Sequence, residues 1–152
     1  MFQQRLFNDN DGTQIEVYFD GLCQPVNPGG TACYAFIVKN VENIVYSEYG
    51  LAANNSTNNV AEYTATIKAL EWLLTNDFTH ENILVKGDSQ LVIRQIKRKF
   101  KVRAPNIIPL YRKVMSLISK FNNIQLEWIP RDQNEEADRL SNLAYQEQRL
   151  GV

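Results

Sequence analysis

Histidine and cysteine are scarce in this chain: its 152 residues include one histidine, His80, and two cysteines, Cys23 and Cys33. Two cysteines are too few for a disulfide framework or a four-ligand zinc site, so both are expected to be free thiols. His80 belongs to no motif and is expected at the surface. No apolar run approaches the length that crosses a bilayer, and the N-terminal "MFQQRLFNDNDGT" lacks a signal-peptide pattern. The expectation is a cytoplasmic protein without a membrane partner. Repeats and low-complexity segments are absent, and nothing in the sequence suggests more than a monomer. Net charge is only −1, which excludes whole-molecule attraction to a polyanion.

What is present is ordinary in amount and uneven in placement. A hydrophobic fraction of 44% and a charged fraction of 22% fit one globular domain with a substantial core. We expect residues 1–12 to be a short tail and 13–152 a single domain. The run "RQIKRKFKVR", residues 94–103, holds six of the chain's 16 Lys and Arg and no acid. It is either a solvated, self-repelling face or the footprint of an anionic partner, of which nucleic acid is the commonest.

Apolar periodicity divides the domain. "TQIEVYFDG" alternates, with Ile15, Val17 and Phe19 on one face, and predicts a strand at roughly 14–20 that ends on Asp20. "ACYAFIVKN" (32–40) and "NIVYSEYGLA" (43–52) are β-branched and aromatic runs joined by a short polar turn, as in an antiparallel hairpin. Val60, Tyr63, Ile67, Leu70 and Leu74 follow at helical spacing. "NILVKGD" (82–88) reads as a buried strand, "SQLVIRQIKRK" (89–99) as a helix, and "IIPLYRKVMSLISKF" (107–121), with Pro105 and Pro109 bracketing its start, as another. "IQLEWIP" (124–130) is a last strand and "NEEADRLSNLAYQEQ" (134–148) a last helix. The order βββαβα(α)βα predicts an α/β fold: a mixed five-stranded sheet, antiparallel meander plus parallel strands, with helices on both faces.

Four carboxylates occupy awkward places. Asp20 closes a buried-looking strand, Glu62 lies one turn into a helix, Asp88 sits at a strand-to-helix junction, and Asp138 comes early in the last helix. Each has a simple structural explanation. Asp20-Gly21 suits a turn, Glu62 could box a cap with Asn59, Asp88 could be an N-cap, and Asp138 could pair with a base. Taken together, strand ends and helix starts of a mixed sheet converge on one edge, where four carboxylates would repel. Divalent cations among them would relieve that repulsion, and hard oxygen donors without histidine or cysteine favour Mg²⁺ or Mn²⁺ over zinc. A pair of such ions is the usual clamp for phosphodiester displacement.

"YFDG…NPGG", "STNNVAEYTA", "GDSQLV" and "NEEADRLSNLA" resemble, in order and spacing, the four motifs of type I ribonuclease H, from about Gln14 to about Tyr145. The resemblance implies the ribonuclease H fold. It also implies two-metal hydrolysis of the RNA strand of an RNA–DNA hybrid, leaving 5′-phosphate and 3′-hydroxyl ends, with Mg²⁺ as cofactor and Mn²⁺ able to substitute. By matching position, Asp20 would bridge both metals, Glu62 and Asp88 would hold the one on the leaving-group side, and Asp138 the one on the side of the attacking water. Asn27, Asn58, Asn59 and Gln90 would read base edges and 2′-hydroxyls. Gly21 would let the backbone approach the substrate strand, Thr57 would help to hold a DNA phosphate, and Ser89 shares the third motif with Gln90.

The departures from the family pattern are specific. Many members place a histidine in the loop before the last acid; here "WIPRDQN" offers Arg131, which could hold a phosphate but stays charged and cannot shuttle protons. Asn55 replaces an arginine of the DNA-phosphate pocket, implying weaker hybrid binding. "KRKFKVRAPNIIPL" runs nearly straight between helices, as in compact members that lack the inserted basic protrusion, and no room is expected for a separate N-terminal hybrid-binding domain. Lys97, Arg98 and Lys99 would then grip the hybrid locally, making binding salt-dependent. Phe100 is read as a packing residue. Two other readings stay open. One is a catalytically dead domain that binds nucleic acid or protein. The other is a different nuclease of the superfamily, such as a junction resolvase or integrase core, although those lack the "NPGG" loop and "TNN" contacts.

Overall fold

The computed structural model describes residues 14–41 and 43–151. The expected tail at 1–12 lies outside the described residues. Five strands and four helices follow in the order β1 (Gln14–Gln24), β2 (Gly30–Asn40), β3 (Asn43–Ser56), α1 (Asn58–Thr75), β4 (Asn82–Gly87), α2 (Gln90–Ile96), α3 (Ile108–Ile118), β5 (Asn123–Trp128) and α4 (Glu135–Leu150). A single 3-10 turn, Arg131–Gln133, leads into α4. The sheet order is β3-β2-β1-β4-β5, with β1 antiparallel to β2 and parallel to β4. This is the mixed five-stranded sheet expected from the sequence.

Strand alternation decides what each sheet face meets. Ile15, Val17 and Phe19 of β1 join Tyr34, Phe36 and Val38 of β2 in the main core, against Tyr63, Leu70 and Leu73 of α1 and Val114 and Leu117 of α3. Ala35 and Ile37 point the other way and pack on Ala137 and Leu140 of α4. Helices α1, α2 and α3 therefore cover one face, and α4 covers the β1–β2 part of the other. An aromatic stack caps the main core: Tyr46 lies parallel to Trp72 at 4.6 Å between ring centroids, and Trp72 tilts on Phe78 at 5.5 Å.

Three boundaries differ from the periodicity. β1 does not end at Asp20; it runs on to Gln24, antiparallel to β2 up to the pair Gln24–Thr31. β3 extends to Ser56. α2 stops at Ile96 instead of continuing through the basic run, because Arg98 takes a left-handed φ of 65° and the Lys99 and Phe100 amides both fold back onto the Arg94 carbonyl. Cys23 and Cys33 are free and buried, and His80 is exposed. Among the described residues, no helix is long and apolar enough to cross a membrane.

Candidate active site

The register of one strand pair sets the site. Parallel pairing of β1 with β4 ends at Phe19–Gly87, so Asp20 and Asp88 follow at the same level of the sheet, where the two strands part. β1 continues beside β2, and the chain after Asp88 turns into α2. Gly87 suits that junction, since a Cβ would run into the buried Phe19 ring. Gly21 works similarly on the helix side: a Cβ would sit 2.5 Å from the Ala61 carbonyl carbon and the Glu62 nitrogen. The missing side chain lets the first turns of α1 lie against β1 and carries Glu62 to Asp20. Gly21 thus makes room for the helix.

One carboxylate oxygen from each of Asp20, Glu62 and Asp88 lies within 4.8 Å of the other two. Asp20 and Glu62 are buried, at 6% and 4% exposure, and Asp88 is half-buried. Burial pushes Asp20 up to about 7, with the Asp88 charge adding to it, the Ser141 hydroxyl opposing and Asp138 adding again. Burial, then the Asp20 charge, pushes Glu62 up to about 8, against the pull of Ser89 and Arg131. Burial also raises Asp88, opposed by Asn134 and Arg131. Glu62 Oε1 is buried and has no hydrogen-bond partner among the described residues. An orphaned buried oxygen in a knot of hard, like-charged donors is what an oxygen-preferring divalent cation satisfies, so the residues fit Mg²⁺ or Mn²⁺.

Asp138 stands outside this triad. It lines the same opening, about 330 Å³ in volume, together with Gly21, Asn58, Arg131 and Asn142. Its carboxylate makes no ion pair among the described residues; Asn142 Nδ2 donates to Oδ1 at 3.4 Å. Several expected substrate residues are committed to the scaffold. The Thr57 and Ser89 hydroxyls cap α1 and α2, accepting from the Val60 and Val92 amides at 3.2 Å each. The cap alternatives for Asp88 and for an Asn59–Glu62 pair are thereby excluded. Asn27 Oδ1 accepts from the Asn58 amide at 3.0 Å, tying the "NPGG" loop to the start of α1. Asn59 and Gln90 do not line the opening. Lys97, Arg98 and Lys99 lie in the turn after α2, exposed, and also outside it. Phe100, expected to pack, is 45% exposed.

Three functional residues escaped the sequence reading. Ser141 Oγ lies 2.9 Å from both Asp20 Oδ2 and the Asp138 carbonyl, so its single proton serves one of two acceptors. Asn134, 1% exposed, donates through Nδ2 to the Phe19 carbonyl at 2.9 Å and to Asp88 Oδ2 at 3.4 Å. The Trp128 indole donates to the Asp88 carbonyl at 3.1 Å. A signal existed for two of them: positions 134, 138 and 141 recur at i, i+4, i+7 and share one helix face.

A sheet of this order, with three helices on one face and one on the other and buried acids where β1 and β4 part, defines a ribonuclease H-like fold. The sequence matches the family described as reverse transcriptase-like over residues 18–144. It is 35% identical to the ribonuclease HI of Halobacterium salinarum over 133 residues, 88% of this chain and 65% of that protein. It is 36% identical over 116 residues to the bifunctional protein Rv2228c of Mycobacterium tuberculosis, covering 76% of this chain and 31% of the relative. The N-terminal RNase H domain of rv2228c, solved as a fusion with maltose-binding protein, superposes with a TM-score of 0.82 at 30% identity, covering 91% of this chain and 98% of that one. LC11-RNase H1 in complex with an RNA/DNA hybrid gives 0.79 at 28% identity, with 88% and 98% covered. The chain belongs to the type I ribonuclease H family.

Proposed function

We propose that the chain is an endoribonuclease that hydrolyses the RNA strand of RNA–DNA hybrids, leaving 5′-phosphate and 3′-hydroxyl ends, with two divalent cations as cofactor, Mg²⁺ ordinarily and Mn²⁺ in substitution. The observation that carries the reading is the convergence of Asp20, Glu62 and Asp88 oxygens within 4.8 Å, two of the three side chains being buried. Those three residues, with Asp138 beside them, are the ligands we assign. Bound cations would supply Lewis-acid activation of the attacking water and charge neutralisation at the leaving oxygen. Ser141 holds the Asp20 carboxylate and Asn134 holds Asp88, so both acids present fixed oxygens. Arg131, within electrostatic reach of Glu62 and Asp88, offers a permanent cation to the phosphate and moves no proton. Asn58 faces the opening and Asn27 braces it, giving amides that can hydrogen-bond base edges and 2′-hydroxyls. Asn59, Gln90, Thr57 and Ser89 are secondary candidates for the same strand pair.

The hybrid as partner has support from LC11-RNase H1, a relative solved with an RNA/DNA hybrid. The deciding experiment compares labelled RNA–DNA hybrid, duplex RNA and duplex DNA, with Mg²⁺ and with chelator. Cleavage confined to the RNA of the hybrid and dependent on the cation is expected. Hybrid binding without cleavage would instead assign a nucleic-acid-binding domain.

A further inference from the structure

Away from the acids, the turn after α2 and the first turns of α3 enclose a groove of about 440 Å³, lined by Arg98, Lys99, Phe100, Lys101, Val102, Ile108, Tyr111 and Arg112. Four of those eight side chains are cationic, and among the described residues no carboxylate lines the groove. Phe100 is 45% exposed at its edge; among the described residues only Trp128, at 42%, is another aromatic exposed to that degree. The Phe100 amide donates to the Arg94 carbonyl at 3.2 Å, and the Arg94 guanidinium lies 5.4 Å from the ring centroid. That contact places a fifth cation beside the groove.

We infer that this groove binds unpaired nucleic acid, a strand running on beyond the paired substrate. Cations alone would suit any phosphate backbone. An exposed aromatic among them finds no free base face on a duplex, whose bases stack on one another and show a protein mainly phosphate and groove edges. A single strand offers both partners at once: phosphates for Arg98, Lys99, Lys101 and Arg112, and free base faces for Phe100. An acidic peptide would match the charge and leave the ring without a partner. The site itself does not depend on the hydrolytic reading; its use beside a hybrid does.

The test is fluorescence anisotropy with labelled single-stranded DNA and RNA oligonucleotides and a blunt hybrid, in chelator. The proteins compared are the wild type, Phe100→Ala, Phe100→Trp and Arg112→Ala. Phe100→Ala should weaken binding of both single strands about tenfold, the loss of one stacked base, and leave the blunt hybrid unchanged. Phe100→Trp should restore binding, which separates stacking from folding. Arg112→Ala should reduce the logarithmic salt slope for single strands by roughly 0.7, one phosphate contact. Single-strand binding by Phe100→Ala equal to wild type would overturn the inference. So would an equal loss on the blunt hybrid, or displacement of the strand by a polyglutamate peptide of the same charge. Hybrid cleavage by the wild type in Mg²⁺, assayed in parallel, keeps the two readings apart: absent cleavage with intact strand binding removes the hydrolytic proposal and leaves the groove.

Discussion

Asp20 and Glu62 are 6% and 4% exposed, and burial raises both above the usual carboxylate range. Without a cation that is an expensive arrangement, and single side chains can be asked what they contribute to it. Asp20→Asn keeps the shape and removes a negative donor. Hybrid cleavage should fall to background, while the thermal midpoint of the metal-free protein at pH 8 stays or rises, because repulsion with Asp88 is relieved. Cleavage near the wild-type rate would remove Asp20 from the site. Ser141→Ala deletes the hydroxyl that sits 2.9 Å from Asp20 Oδ2. Loss of such a supporting hydrogen bond should cost about tenfold in Mg²⁺ affinity, read by titration calorimetry, with circular dichroism unchanged. Unaltered Mg²⁺ affinity would make Ser141 a helix residue bonded only to the Asp138 carbonyl. Arg131→Ala should slow turnover less than the loss of an acid; an equal loss would place Arg131 in the chemical step.

At the scale of elements, the approach of α1 to β1 is what turns two distant acids into neighbours. Gly21→Ala forces a Cβ to within 2.5 Å of helix backbone, and backbone cannot rotate out of the way as a side chain can. The helix has to shift, which should destabilise the fold by about 1–3 kcal/mol and lower activity together with it. A thermal melt and a cleavage assay on the same preparation test this; full activity at an unchanged midpoint would contradict the packing account. The segment between α2 and α3 carries its charge outside the acid opening. Neutralising Lys97, Arg98 and Lys99 together should therefore raise KM for the hybrid and flatten its salt dependence, with kcat little changed. Unchanged salt behaviour would take these cations out of hybrid binding.

For the whole molecule, the raised carboxylates tie stability to pH and to metal. Unfolded, these acids titrate near 4; folded, Asp20 and Glu62 titrate at about 7 and about 8. Between those limits the folded state binds more protons than the unfolded one, so stability falls as pH rises. A divalent cation bound by these acids would stabilise the ionised form and oppose the trend. The metal-free protein should melt higher at pH 5 than at pH 8, and added Mg²⁺ should raise the midpoint far more at pH 8. An equal Mg²⁺ effect at both values would separate the cation from the buried acids. The chain spans 31% of the mycobacterial relative and 65% of the halobacterial one, so the wider activities of those proteins do not transfer to it as a whole.

Much of this was legible in the sequence, because it depends on local order. Alternation in "QIEVYF", helical spacing from Val60 to Leu74, and four ordered motifs carried the element order and the family, and pointed to the three acids that the structure gathers. Other features depend on residues far apart. That β1 passes straight through Asp20 follows from its pairing with β2, which the alternation of one strand cannot show. The placing of Asp20 beside Asp88 follows from a register that ends at Phe19–Gly87, and the reach of Glu62 from a glycine whose empty side faces a helix forty residues on. The exposure of Phe100 was decided by a left-handed turn at Arg98 that ends α2 early. Sequence by itself determined which chemical groups this protein has and in what order; tertiary structure alone decided which of them meet, because burial, register and close backbone approach are relations between segments that the chain brings together only on folding.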